Sequence, residues 1–152
     1  MAQPGKAERW LVFLLRLVGG VCLLAVVSLW MPRNWIDAGH RWLGLGAFPA
    51  EPIAEYLARS VSLLCAFYGG LLIVLSFNVR RFNPLIRYQA SAVMLLAACG
   101  VVVGHWAGLP WWFAGADAVA CWAYGFPMLV LTWRVSAVVS HGLSRSAQGV
   151  VS

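Results

Sequence analysis

Only a handful of residues in this 152-residue chain carry groups able to do chemistry. Arg59 and Asp117 each stand inside an apolar run, about seven residues from its start, which at 1.5 Å per helical residue places both roughly 10 Å below the surface. Glu55, His105, Asp37 and His40 fall near the same ends of the runs. A lone Arg or Asp at the centre of a spanning helix costs about 2.5–3.5 kcal/mol, less near the interface, and pairing removes much of that cost. Equal depth permits the pair Arg59–Asp117, with Glu55 supporting Arg59 from one turn away. Two roles follow for the cluster. It is a structural clamp between helices, or it lines a wet pocket where a carboxylate and a histidine meet an anionic headgroup, a quinone or a small substrate.

Other chemistry finds less support. His40, His105 and His141 lie at helix ends or in connections, where histidine tolerates the headgroup layer and cannot face a second histidine across a haem. Zinc needs three clustered ligands, and no H-E-x-x-H spacing supplies them, so no metal site is expected. Cys22, Cys65, Cys99 and Cys121 sit one per apolar run with no C-x-x-C, as small apolar side chains do. No cofactor motif is identified. Quinone is the one cofactor the residues leave open.

The elements that must position these groups are membrane helices. Hydrophobic residues make up 62% of the chain and charged residues 11%, with mean hydropathy +0.79, far from soluble globular composition. The runs predict four spanning helices, over residues 10–31, 53–78, 84–106 and 111–134. Residues 1–9 precede them, and 135–152 form a Ser-rich tail with weak helical pattern, expected to fray or lie on the surface. Between the first two spans, Trp35, Ile36, Trp42 and Leu43 share one helical face while Asp37, His40 and Arg41 share the other. That pattern predicts a short helix lying in the interface. In the second span Glu55, Arg59, Ser62, Ala66 and Gly69 form one stripe of small and polar groups that should face protein. Gly100 and Gly104 make a G-x-x-x-G contact in the third span, within the chain or in a homodimer. Pro127 interrupts the fourth, where Asp117, Cys121, Tyr124 and Met128 share a stripe.

Tryptophan and charge set the orientation. Trp30, Trp35, Trp42, Trp106, Trp111 and Trp112 mark an outer aromatic belt, or a stacking site for a ring-bearing ligand, and Trp10 and Trp133 an inner one. Lys6, Arg9, Arg16, Arg80, Arg81, Arg87, Arg134 and Arg145 fall on one side, against Arg33, Arg41 and Arg59 on the other, so both termini are predicted in the cytoplasm. Positive loops also account for the net charge of +6, and no motif points to nucleic acid. The first run has basic residues before it, as a signal peptide does, but SLWMPRN offers no small-x-small cleavage site, so it is expected to stay as a helix. A small four-helix exporter would carry a carboxylate inside its first helix and little charge bias; neither is present.

The order EYLARS, AFYGGLLIVLS, VRRFNPLIRYQ and GLPWW, followed by an acidic residue in the last span, resembles small bacterial four-helix membrane proteins of the DoxX-like kind and neighbouring families of unknown function. The resemblance covers residues 54–117 and implies that Arg59, Tyr68, Gly69 and Gly70 match that group's early arginine and Tyr-Gly-Gly motif. Some DoxX-type proteins are linked with membrane quinone and sulfur-compound oxidoreduction, a role for which this chain has no cofactor motif. The expected architecture is all-α, a four-helix transmembrane bundle in the bacterial inner membrane with an interfacial helix in the first outer loop. The expected role is an accessory or lipid-contacting one, with membrane lipids and a second copy or another membrane protein as partners. The alternative is a component of a quinone-linked oxidoreductase.

Overall fold

Apolar runs of this length become helices whose outer faces stay bare, because a short chain has too little protein to cover them. In the computed structural model, which describes the backbone of residues 5–148 and the side chains of 5–137, the protein is all-α. The helices are α1 (Lys6–Leu24), continued by a 3₁₀ segment (Ala25–Leu29), α2 (Arg33–Trp42), α3 (Pro52–Ser76), α4 (Asn83–Trp106) and α5 (Trp111–Gln148). Four stretches are long and apolar enough to cross a membrane: Lys6–Leu29, Pro52–Ser76, Asn83–Trp106 and Trp111–Ala137. Leucine, valine, phenylalanine and tryptophan side chains stand exposed along all four, which in water would be untenable and in lipid is the natural state. This is a multi-pass membrane protein.

Contacts divide the chain into two units, Leu15–Val74 and Met1–Leu14 with Leu75–Ser152. In the first, α1 and α3 touch backbone to backbone. A Cβ placed on Gly69 would lie 2.5 Å from the carbonyl oxygen of Gly19 and 2.8 Å from the amide nitrogen of Leu23; one on Gly19 would lie 2.9 Å from the oxygen of Gly69. Only two facing glycines allow so close a crossing. Ala66 is buried on the same α3 stripe, and Ser62 is half-buried, so the small and polar stripe does face protein.

In the second unit α4 and α5 pack along Ile86, Ala90 and Ala97 on one helix and Gly125, Met128, Thr132 and Val135 on the other. Met94 lies over Gly125, its Cγ 2.5 Å from where a Cβ would be. Polar links cross the pair: Gln89 Nε2 donates to the Tyr124 hydroxyl at 2.8 Å, Asn83 Nδ2 to the Thr132 carbonyl at 3.1 Å, and Trp122 Nε1 to the Met94 carbonyl at 3.2 Å. The Arg87 guanidinium lies 4.4 Å from the centre of the Trp133 ring. The turn between α4 and α5 is short because Gly108, at φ 72°, closes a Schellman motif: its N–H meets the His105 carbonyl at 3.1 Å, and that of Leu109 meets Gly104 at 2.9 Å. Pro110 then prevents α4 from continuing. At the start of the chain, Arg80 donates to Glu8 Oε2 through Nη2 at 2.8 Å and Nε at 3.2 Å.

Three boundaries and one contact differ from the sequence expectation. α1 starts at Lys6, four residues before Trp10, with Glu8 favouring the positive first turn. It tightens to 3₁₀ before Met31, where Ser28 Oγ turns back to the Ala25 carbonyl at 2.7 Å and Pro32 ends the run. The last helix does not fray after Arg134; it runs through Pro127 and on to Gln148. Gly142 is the weakest helix former in that stretch, and one helix glycine costs only about 1 kcal/mol. The side chains of His141 and Arg145 and all of residues 149–152 lie outside the described part. Within the chain Gly100 and Gly104 do not pack as a pair: a Cβ on Gly104 would lie 3.1 Å from that of Ala114, while one on Gly100 would meet no described residue within 4 Å.

Candidate functional site at Arg59

The site begins with a helix that ends badly. Where the first span tightens and stops at Pro32, its last carbonyls have no N–H within the helix to accept. Arg59, two turns into α3, supplies them. Its Nη1 donates to the carbonyl of Leu29 and its Nη2 to that of Met31 at 3.3 Å. On its other side the guanidinium closes on Glu55 one turn earlier, Nη2 to Oε1 at 2.7 Å and Nε to the same oxygen at 3.1 Å. A positive charge at a helix C-terminus, itself held by a carboxylate, satisfies both the dipole and the orphaned oxygens. Four of the five guanidinium N–H donors are thereby engaged.

The interfacial helix α2 is built from its own polar face. Asp37 Oδ1 accepts the Phe48 N–H at 2.8 Å, and Asp37 Oδ2 accepts Arg41 Nε at 2.9 Å. The Phe48 amide above all, with Arg41 beside it, holds the Asp37 carboxyl below the ordinary aspartate range. Arg33 Nη2 donates to the Pro49 carbonyl at 2.7 Å, and His40 Nδ1 lies 3.2 Å from the Gly46 carbonyl, with the Phe48 ring edge-on at 5.6 Å. Gly44 at φ 70° and Gly46 at φ 83° let the chain reverse tightly enough for these bonds. Asp37 and His40, read from sequence as partners in an outer-surface cluster, therefore spend their polar atoms on the loop that follows them. The opposite face presents Trp35 and Trp42, both well exposed, as an interface-lying helix should.

Between these parts lies a cleft of about 220 Å³. Ser28 and Met31 of the first span form one wall, Trp35, Ile36 and Gly39 of α2 a second, and Ala58, Arg59 and Ser62 of α3 the third. Its lining is almost wholly apolar. Ser62 Oγ is turned to the Ala58 carbonyl at 2.9 Å, which leaves the Arg59–Glu55 pair, each about one-third exposed, as the charged group at the edge.

Comparison with family models, curated proteins and solved structures returned no match.

The residues of the sequence cluster are shared between the two units. Glu55 and Arg59 come together, and Arg59 is satisfied within its own unit. Asp37 and His40 form the loop lock. His105 and Asp117 belong to the other unit, where both are exposed and their side chains take no hydrogen bond or ion pair among the described residues. Of the belt residues, Trp35 lines the cleft, whereas Trp42, Trp106, Trp111 and Trp112 are exposed, Trp112 edge-on to Phe113 at 5.8 Å. Two features carried no expectation. Gly19 was one half of a Gly-Gly pair with no visible partner, and Gln89 was a lone amide in an apolar run whose depth matches Tyr124 only once α4 and α5 are folded back on each other.

Proposed function

We propose that this chain is a non-catalytic lipid-contacting membrane protein whose cleft beside Arg59 takes the end of a lipid acyl chain. The carrying observation is the cleft itself: apolar on three walls, edged by a guanidinium already neutralised by Glu55. An anionic ligand would have to compete with that carboxylate. A quinone head would need free donors for its carbonyls and a volume in the range of about 300–1,000 Å³ usual for such ligands. A methylene chain needs neither. The lipid role rests on the cleft alone.

The same proposal includes orientation and place. The excess of Lys and Arg at the Lys6 and Arg80 ends favours cytoplasmic termini, with α2 on the outer face. The motif order that resembles DoxX-like proteins favours a bacterial inner membrane, and in that comparison Arg59 takes the place of the early arginine.

Gly39→Leu tests the cleft. Nothing lies within 4 Å of a Cβ at Gly39, so the helix tolerates the side chain while the cleft fills. Native mass spectrometry of gently extracted protein should show one retained lipid per wild-type chain and none on the variant, with helical circular dichroism unchanged. Equal lipid retention by both proteins, or a quinone in its place, refutes the proposal.

A further inference from the structure

A second, independent site lies on the first two turns of α1. Lys6, Arg9, Trp10 and Phe13 recur at i, i+3, i+4 and i+7 and so share one face, where they line one side of an open groove. Both cations are exposed, and among the described residues neither forms an ion pair. The one carboxylate in this turn, Glu8, points to the opposite side of the helix and is committed to Arg80 at 2.8 Å. The positive potential over Lys6 and Arg9 is therefore not cancelled. Directly beyond them, Trp10 and Phe13 stand edge to face, ring centres 5.8 Å apart, and both are exposed.

Along the helix axis the order is charge, then ring, with Trp10 and Phe13 each one turn, about 6 Å, further into the span than Lys6 and Arg9. A phospholipid has the same order: phosphate at the surface, hydrocarbon beneath. We propose that this face of α1 binds one anionic phospholipid, its phosphate between Lys6 and Arg9 and an acyl chain along Trp10 and Phe13. A zwitterionic headgroup would bring a second positive charge to a site with no free carboxylate among the described residues. A free phosphate would leave the rings unused.

The test uses the full chain in detergent, titrated with phosphatidylglycerol or phosphatidylcholine and read by native mass spectrometry. Wild type should favour phosphatidylglycerol, and Arg9→Gln should reduce the preference about fivefold, the effect of one cation at an anionic membrane surface. Lys6→Gln/Arg9→Gln should abolish it. Arg9→Lys should restore most of it, which separates lost charge from lost fold. Phe13→Ala should weaken both lipids together. Arg81→Gln removes an exposed charge that does not share this face of α1 and should change nothing. An equal loss in Arg81→Gln would mean diffuse attraction and overturn the proposal. So would an unchanged preference in the double variant, or displacement of the lipid by millimolar inorganic phosphate.

Discussion

Gly69 and Gly70 are adjacent and chemically identical, yet alanine should act on them in opposite directions. A Cβ at Gly69 meets the Gly19 oxygen at 2.5 Å, the Leu23 nitrogen at 2.8 Å and the Cys22 Cβ at 2.9 Å; at Gly70 it meets nothing within 4 Å. The closest of these contacts is roughly 1 Å inside van der Waals separation. No obstacle is the far end of a flexible side chain, so rotamer changes cannot relieve it and α1 and α3 must move apart. Overpacking costs about 1–3 kcal/mol, and backbone obstacles put Gly69→Ala near 3 kcal/mol. Gly70→Ala meets no obstacle and should gain about 0.5–1 kcal/mol in helix propensity. The two variants should then differ by about 4 kcal/mol, close to a thousandfold in the unfolding equilibrium. Reversible unfolding in mixed micelles of rising dodecyl sulfate content, followed by circular dichroism, measures that gap. Two variants within about 1 kcal/mol of each other would show that α1 and α3 do not cross at these glycines.

Arg59→Ala leaves two carbonyls and Glu55 without their donor; at about one-third exposure this should cost about 2 kcal/mol in the same unfolding assay, and Arg59→Lys should recover only part of it, having no planar fork. The Asp37 carboxyl is held below its ordinary range, so its contribution is complete above that range and disappears as pH falls through the lowered folded value. The hydrogen-exchange protection factor of the Phe48 amide should therefore fall on acidification below about pH 4, and Asp37→Asn should flatten that dependence. For the Gln89–Tyr124 bond, a double-mutant cycle with Gln89→Leu and Tyr124→Phe should return a coupling near 0.6 kcal/mol, the usual size within a membrane. A coupling indistinguishable from zero would show that the hydrogen bond adds nothing to the pairing of α4 with α5.

Much of the architecture was legible because a bilayer imposes simple rules. Length, hydropathy and the prolines at 32, 52, 84 and 110 placed four spans and the two-faced helix between the first pair. The stripe from Glu55 to Gly69 was legible as a packing face, since lipid does not reward small or polar groups. The site was less legible. Depth along a helix identifies residues able to meet, but several residues share each depth, and Arg59 had carboxylates of its own and other helices to choose from. Its strongest claimants carry no side-chain label at all. The Leu29 and Met31 carbonyls become acceptors only because the first span tightens to 3₁₀ and stops.

The sequence by itself therefore determined that this chain carries four helices long and apolar enough to cross a membrane, and which face of α3 packs on protein, because both depend on local composition and a fixed helical period. Tertiary structure alone decided that Gly19 opposes Gly69, that Asp37 and His40 hold their own loop, and that Arg59 finishes another helix. Those outcomes depend on backbone atoms, present identically at every residue, and only a folded chain shows which of them are left without a partner.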